Sequence, residues 1–242
     1  MTTNPLFAAW PYVASGVMVG GVLLRYLLSR RDPEALAAEL SQAKEVFAGS
    51  RLWRVTLLLL ILGHLGVLLF ARSVLAWNSN PFRLYLLEGA AFMLGVLCLG
   101  SWIKLVLRHL ARHDGSALLD LGDTAFLALL FVGILSGLLA AIVYRWGSSW
   151  GAMILSPYAI SLLHGSPAAN LALQMPFLVR LHVFSAFAAM AAFPLTRLSA
   201  FPVSAMRYAL SWTGRQLSSA GQPVEVWFRK HNPARWLWPE ED

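Results

Sequence analysis

Apolar residues come in long unbroken runs along this chain, and charged residues fall almost entirely between them. Five runs approach the roughly 20 apolar residues that one helix needs to cross a bilayer core. They cover about Trp10 to Leu24, Val55 to Ala71, Leu84 to Ile103, Thr124 to Tyr144, and Leu181 to Thr196. The second and fourth carry no charge, and the third contains Glu88. A strand reading would require segments of about 10 residues alternating in polarity. Helices also satisfy every backbone group internally, which lipid demands. The pattern therefore predicts an all-α membrane protein, a bundle of five transmembrane helices. Residues 1–206 form that domain, and residues 207–242 form a polar tail ending in Trp227, Trp236 and Trp238. The tail's mixture of tryptophan and basic residues suits a membrane-surface anchor or a partner contact.

Charge sets the expected orientation. Of 19 Lys and Arg, fifteen fall in the segments 25–54 and 104–123 and beyond the fifth run, from Arg197 onward. The other side holds only Arg72, Arg83, Arg145 and Arg180. Basic residues favour the cytoplasmic side, so the N-terminus is expected outside and the C-terminus in the cytoplasm. The first nine residues carry no Lys or Arg, so the basic start of a cleaved signal peptide is missing and the first span is expected to stay. Segment 145–179, with Pro157, Pro167 and Pro176, reads as an irregular or short-helical outer cap. Composition agrees: 58% hydrophobic, 13% charged, mean hydropathy +0.61. The net charge of +7 sits in loops between spans, so no nucleic-acid partner is expected and the lipid membrane is. The single cysteine, Cys98, excludes a disulfide framework and a cysteine-only metal site.

Candidate chemistry rests on histidine. His109 and His113 stand four apart beyond the third span, where they could meet headgroups, a partner or a metal. His164 falls in the outer loop, either beside a quinone or simply solvated, and His231 in the tail. His64 and His182 differ, because each lies in or at the edge of an apolar span, where an ionisable group is costly and marks function by default. His64 precedes the end of its outward span by seven residues, and His182 follows the start of its inward span by one. Both therefore fall in the outer half of the bilayer. Two imidazoles from facing helices at one depth can ligate a heme iron from both sides. Gly63, Gly66, Ser185, Ala186, Ala188 and Ala189 would leave room for a macrocycle, although small residues also serve ordinary helix contacts. Arg83 and Arg180 could pair with propionates or a quinone carbonyl, or snorkel to the headgroups. Glu88 could relay a quinone proton or pair with Arg83.

With these residues in view, the chain resembles the gamma subunit of respiratory nitrate reductase, a membrane cytochrome b. The resemblance rests on Trp10-Pro11-Tyr12-Val13 with Arg25-Tyr26, on Leu62-Gly63-His64-Leu65-Gly66, and on Gly95-Val96-Leu97-Cys98-Leu99. It is most specific at Arg180-Leu181-His182, Phe193-Pro194-Leu195-Thr196-Arg197-Leu198 and Pro202-Val203. It implies five helices with the N-terminus outside in a bacterial or archaeal inner membrane, and electron transfer from quinol to catalytic and iron–sulfur subunits. Members typically hold two b hemes, a distal one matching His64 and His182 and a proximal one near the cytoplasm. Arg83 falls where the family often has a basic residue near its quinol site. The chain departs from the family at the other ligand pair. The positions ten before His64 and eighteen after His182 are Arg54 and Ala200, and neither ligates iron. One heme b per chain is therefore expected. A missing proximal relay implies electron exchange on the outer side, as with a hydrogenase or another outward-facing redox enzyme. The competing expectations are a heme-poor structural anchor and a small transporter. The second lacks the inverted repeat and interior charges such folds carry.

Overall fold

A computed structural model describes residues 5–47, 51–111 and 120–213. The Trp-rich tail, His113 and His231 lie outside them. Among the described residues the helices begin, in order, with α1 (Pro5–Ala8), α2 (Trp10–Ser29), α3 (Pro33–Phe47), α4 (Arg51–Leu69), α5 (Ala71–Asn78), α6 (Pro81–Leu110), α7 (Leu121–Val143), α8 (Gly147–Trp150), α9 (Ser156–Leu163), α10 (Ala169–Leu173) and α11 (Phe177–Ala192). A π-helical turn joins α8 to α9, two 3₁₀ turns follow α11, and residues 200–213 are helical. That last helical stretch runs through the expected boundary at 206. The described residues contain no strand.

Five helices are long and apolar enough to cross a membrane: α2, α4, α6, α7, and α11 with its following turn. Each begins or ends on local chemistry. Asn80 caps α6 through Oδ1, which accepts the amides of Phe82 and Arg83 at 3.0 and 3.4 Å, with Pro81 at the first turn. Asp120 caps α7 by accepting the Asp123 amide at 2.7 Å. α4 stops two residues earlier than the apolar run suggested, because the chain turns at Phe70 into α5. In the other direction, α6 continues past Ile103 to Leu110. At about 1.5 Å per residue it outreaches a bilayer core of about 30 Å and projects beyond it.

Two ends result. At one, segment 145–179 folds into the expected cap, made of α8, the π turn, α9 and α10. The cap is held on an apolar cluster that includes Phe7, Tyr158, Met175 and Val179. The Tyr158 hydroxyl donates to the Phe7 carbonyl at 2.8 Å, and Tyr12 donates to the Leu162 carbonyl at 2.8 Å. Burial of the Tyr158 phenol, with Tyr12 nearby, pushes its pKa up to about 12.

At the other end, the basic 25–54 segment is not a plain loop. Arg25 belongs to α2, donates to the carbonyls of Pro194 and Thr196 at 3.0 Å each, and pairs with Glu39 of α3. Asp123 is fully buried, accepts the Arg197 amide at 3.0 Å, and faces the Arg197 guanidinium at 3.6 Å. Glycine allows the close approaches: a Cβ on Gly122 would lie 2.2 Å from the Leu195 carbonyl oxygen, and one on Gly21 2.5 Å from Pro194.

Helix packing is uneven. α11 packs along α7 and α2, α4 along α6, and α6 along α7, whereas α4 and α11 are not packed along one another. Between them the α3 end is filled. Trp53, Phe47, Cys98, Leu105, Phe126 and Ala189 form one buried cluster there, and Ala200 is enclosed with Leu36 and Val203 in another.

A paired-imidazole candidate site at the cap end

His64 lies five residues before the end of α4, and His182 five residues after the start of α11. The two helices run in opposite directions, so equal distances from the cap end put both imidazoles at one depth. Their ring centroids are 5.6 Å apart, with planes tilted by 30°. That spacing is within the range of ordinary ring contacts. It is near the roughly 6 Å expected when each imidazole nitrogen binds a shared first-row metal at about 2 Å, the bond length seen for zinc.

Both rings are fixed in the same tautomer. His64 Nδ1 lies 2.7 Å from the Leu60 carbonyl, and His182 Nδ1 lies 2.8 Å from the Gly133 carbonyl. A carbonyl only accepts, so each Nδ1 carries the proton and each Nε2 keeps its lone pair. Metal-binding histidines are oriented in this way, through the second nitrogen. Among the described residues no hydrogen bond engages either Nε2. No group of three or more His, Cys, Asp or Glu gathers among them as a metal cage. Two nitrogens fall short of a closed zinc site and suffice as the axial pair of a heme.

α7 supplies what the apolar pattern did not reveal. A Cβ on Gly137 would meet His182 at 2.9 Å from Cε1 and 3.0 Å from Nδ1, so only glycine admits the ring there. Gly133, one turn earlier, offers the carbonyl. The signal in the sequence was the four-residue spacing of these glycines inside an apolar span, which marks close helix approach. On α4, a Cβ on Gly63 or Gly66 meets nothing within 4 Å. Beside His182, Arg180 has its Nε buried without a hydrogen-bond partner, as does Trp10 Nε1 on α2. Trp10 stacks on Phe184 of α11, with centroids 5.6 Å apart. The paired lone pairs, the open flank at Gly63 and Gly66, and the orphaned Arg180 Nε together fit a planar, anionic-edged macrocycle.

Arg83 and Glu88 each have partners of their own, away from the imidazoles. Arg83 lies over the Trp77 ring at 5.4 Å, and its carbonyl accepts from Trp77 Nε1 at 3.1 Å. Glu88 Oε1 accepts the amide and hydroxyl of Ser148 at 2.7 and 2.6 Å. The alternative of a Glu88 partnership with Arg83 is thus replaced by a bond that ties α6 to α8, next to Trp146 with its left-handed φ of 67°. Neither residue touches an imidazole. His164 is exposed, its Nδ1 on the Ile160 carbonyl at 2.9 Å. His109 Nε2 and Arg108 donate to the carbonyls of Val46 and Glu45, at 2.9 and 3.0 Å, which closes the end of α3. His109 is therefore structural.

Five apolar helices among the described residues, with two imidazoles facing one another near one end, define the class: a multi-span helical membrane protein. The family model for the nitrate reductase gamma subunit matches residues 3–216, and the chain belongs to that family. It is 24% identical over 202 residues to the nitrate reductase gamma chain of Bacillus subtilis (strain 168), covering 82% of this chain and 90% of that one. It is 26% identical over 196 residues to the respiratory nitrate reductase 1 gamma chain of Escherichia coli (strain K12), covering 79% and 87%.

Proposed function

We propose that the protein is the membrane-anchoring b-type cytochrome subunit of a multi-subunit oxidoreductase in a bacterial inner membrane. It holds one heme b between His64 and His182 and exchanges electrons between the quinone pool and partner redox subunits. The carrying observation is the pair of facing imidazoles whose Nδ1 protons are both committed to backbone carbonyls. Such a pair inside a membrane, with two unshared lone pairs, is costly unless one ligand engages both. A heme held by His64 and His182 would supply one-electron transfer there. Gly137 and the Gly133 carbonyl orient His182, the Leu60 carbonyl orients His64, and Arg180 is placed to meet a propionate. The charge distribution supports an orientation with the cap end outside and the α3 end in the cytoplasm.

The opposite end supports the reading of a single heme. Arg54 is exposed, and Ala200 is enclosed by Leu36 and Val203, so apolar packing occupies the region where the family resemblance places a second pair of ligands. Arg83 and Glu88, both on α6 toward the cap end, are the candidates for quinone contact and its proton.

The pyridine hemochrome of the purified full chain tests this directly: one heme per chain is expected, and a ratio near two overturns the single-site reading. Loss of the Soret and alpha bands in both His64→Ala and His182→Ala is the second expectation. Retention of the bands in either variant, or no bands in the parent, would reduce the chain to a structural anchor.

A further inference from the structure

The cap end is charged in one sense only. Segments 70–83 and 144–180 carry Arg72, Arg83, Arg145 and Arg180 and no Asp or Glu. The lone carboxylate near them, Glu88, is engaged by Ser148. Arg72 and Arg145 are exposed, and neither meets a carboxylate among the described residues. At the α3 end carboxylates accompany the basic side chains, and three of them form ion pairs: Glu39 with Arg25, and Asp120 and Asp123 with Arg197.

Position matters as much as charge. His64 lies five residues from the cap end of α4 and thirteen from Arg51 at its other end. At 1.5 Å per residue these are about 7.5 Å and about 20 Å of helix. The α3 end is packed with Trp53, Phe47 and Phe126, and Ala200 stands where a second histidine would be needed. Electron transfer weakens steeply with distance, so a group held by His64 and His182 is poised to exchange electrons at the cap face.

We propose that this face is the docking surface for an acidic redox protein or domain, with Arg72 and Arg145 drawing its carboxylates toward the imidazole pair. Oppositely charged patches speed encounter and fix register more than they add raw affinity. The gain in association rate at low salt spans about 10-fold to 1000-fold. This rests on the heme reading above for the electron step, though not for the docking itself.

The test uses the full chain in phosphatidylcholine nanodiscs and two soluble one-electron oxidants of opposite charge, acidic plastocyanin and basic cytochrome c. At low salt, plastocyanin binds the nanodiscs, and it oxidises the dithionite-reduced protein faster than cytochrome c does. The preference fades toward 1 M salt, where the Debye length is about 3 Å. Arg72→Glu with Arg145→Glu leaves the spectrum intact and reverses the preference, changing each rate by about tenfold or more. Equal rates for the two oxidants, or a double variant that behaves as the parent, overturns the proposal. So does a variant that loses co-purified phosphatidylglycerol with its rates unchanged, because the arginines then serve anionic lipid. Binding is read by interferometry and needs no heme. A parent without heme bands that still binds plastocyanin through these arginines sinks the cytochrome reading and keeps the docking face.

Discussion

Replacing Gly137 with alanine tests the imidazole pair at its narrowest point. The added methyl would sit 2.9 Å from His182 Cε1 and 3.0 Å from Nδ1, distances that real Cβ atoms scarcely show. The ring is hemmed in by its bond to the Gly133 carbonyl at 2.8 Å, so it must rotate away. Overpacking of this kind costs about 1–3 kcal/mol, and a lost neutral hydrogen bond adds about 0.5–1.5 kcal/mol. If the first of these falls entirely on the ligand-bound geometry, heme affinity drops about fivefold to about 150-fold. Heme-to-protein ratio after purification, with the low-spin ferric resonance as a marker of ring angle, reads the effect. Gly133→Ala is the control: its methyl would meet only the Ser185 hydroxyl, at 3.3 Å, and the carbonyl that holds His182 remains. Full heme content and an unchanged spectrum in Gly137→Ala would refute the claim that this glycine sets the ligand.

Gly63→Leu, whose side chain enters space free of protein within 4 Å of its Cβ, should leave the thermal midpoint of heme-free protein unchanged while lowering heme content; normal loading would show that the macrocycle lies elsewhere. Glu88→Ala should loosen the cap by roughly 1–3 kcal/mol, since it strands the Ser148 amide and hydroxyl, whereas Glu88→Gln keeps an acceptor; proteolysis between residues 144 and 176 reads the difference. Asp123→Ala should cost about 3–5 kcal/mol, as removal of one partner of a buried ion pair does, and the yield of folded protein checks it. Tyr158, with its folded pKa raised to about 12 from 10, holds its proton more tightly when folded. Its contribution is thus complete below pH 10 and lost as pH rises toward 12. Detergent melts from pH 8 to 12 should show that loss in the parent and not in Tyr158→Phe.

The spans were legible because lipid removes the usual ambiguity: a continuous apolar run of this length has one stable backbone solution. Their ends were less so. Phe70 is as apolar as its neighbours, yet the chain turns there, and Arg83 lies inside α6 because Asn80 and Pro81 start the helix ahead of it. Local capping, not hydropathy, sets those limits. The histidine pair was legible from cost alone, as ionisable groups in apolar runs at matched depth. Partner choice was not: Glu88 could have reached Arg83 along its own helix, and only the fold of the cap brings Ser148 closer. The α7 glycines were equally obscured, because a four-residue glycine spacing signals close approach without saying what approaches.

The two halves of the bundle explain one another. On α4, the buried positions Trp53 and Thr56 belong to the α3 end, and the residues around His64 are exposed. A helix that packed tightly along its whole length would need no second partner for its apolar surface. One that packs over half its length must cover the rest with lipid or with a ligand. Lipid would leave the His64 and His182 lone pairs unmatched in a medium that offers no donors. The substitution of Arg54 and Ala200 for a second ligand pair is then not a loss to be repaired elsewhere. It accompanies a core closed by Phe47, Trp53 and Phe126. Reopening that core should be harder than restoring the ligands. Ala200→His with Arg54→His is therefore expected to disturb the cluster around Leu36 and Val203 and to add no second heme. A hemochrome ratio of two in that double variant would show that the closure follows from the missing ligands rather than standing independently of them.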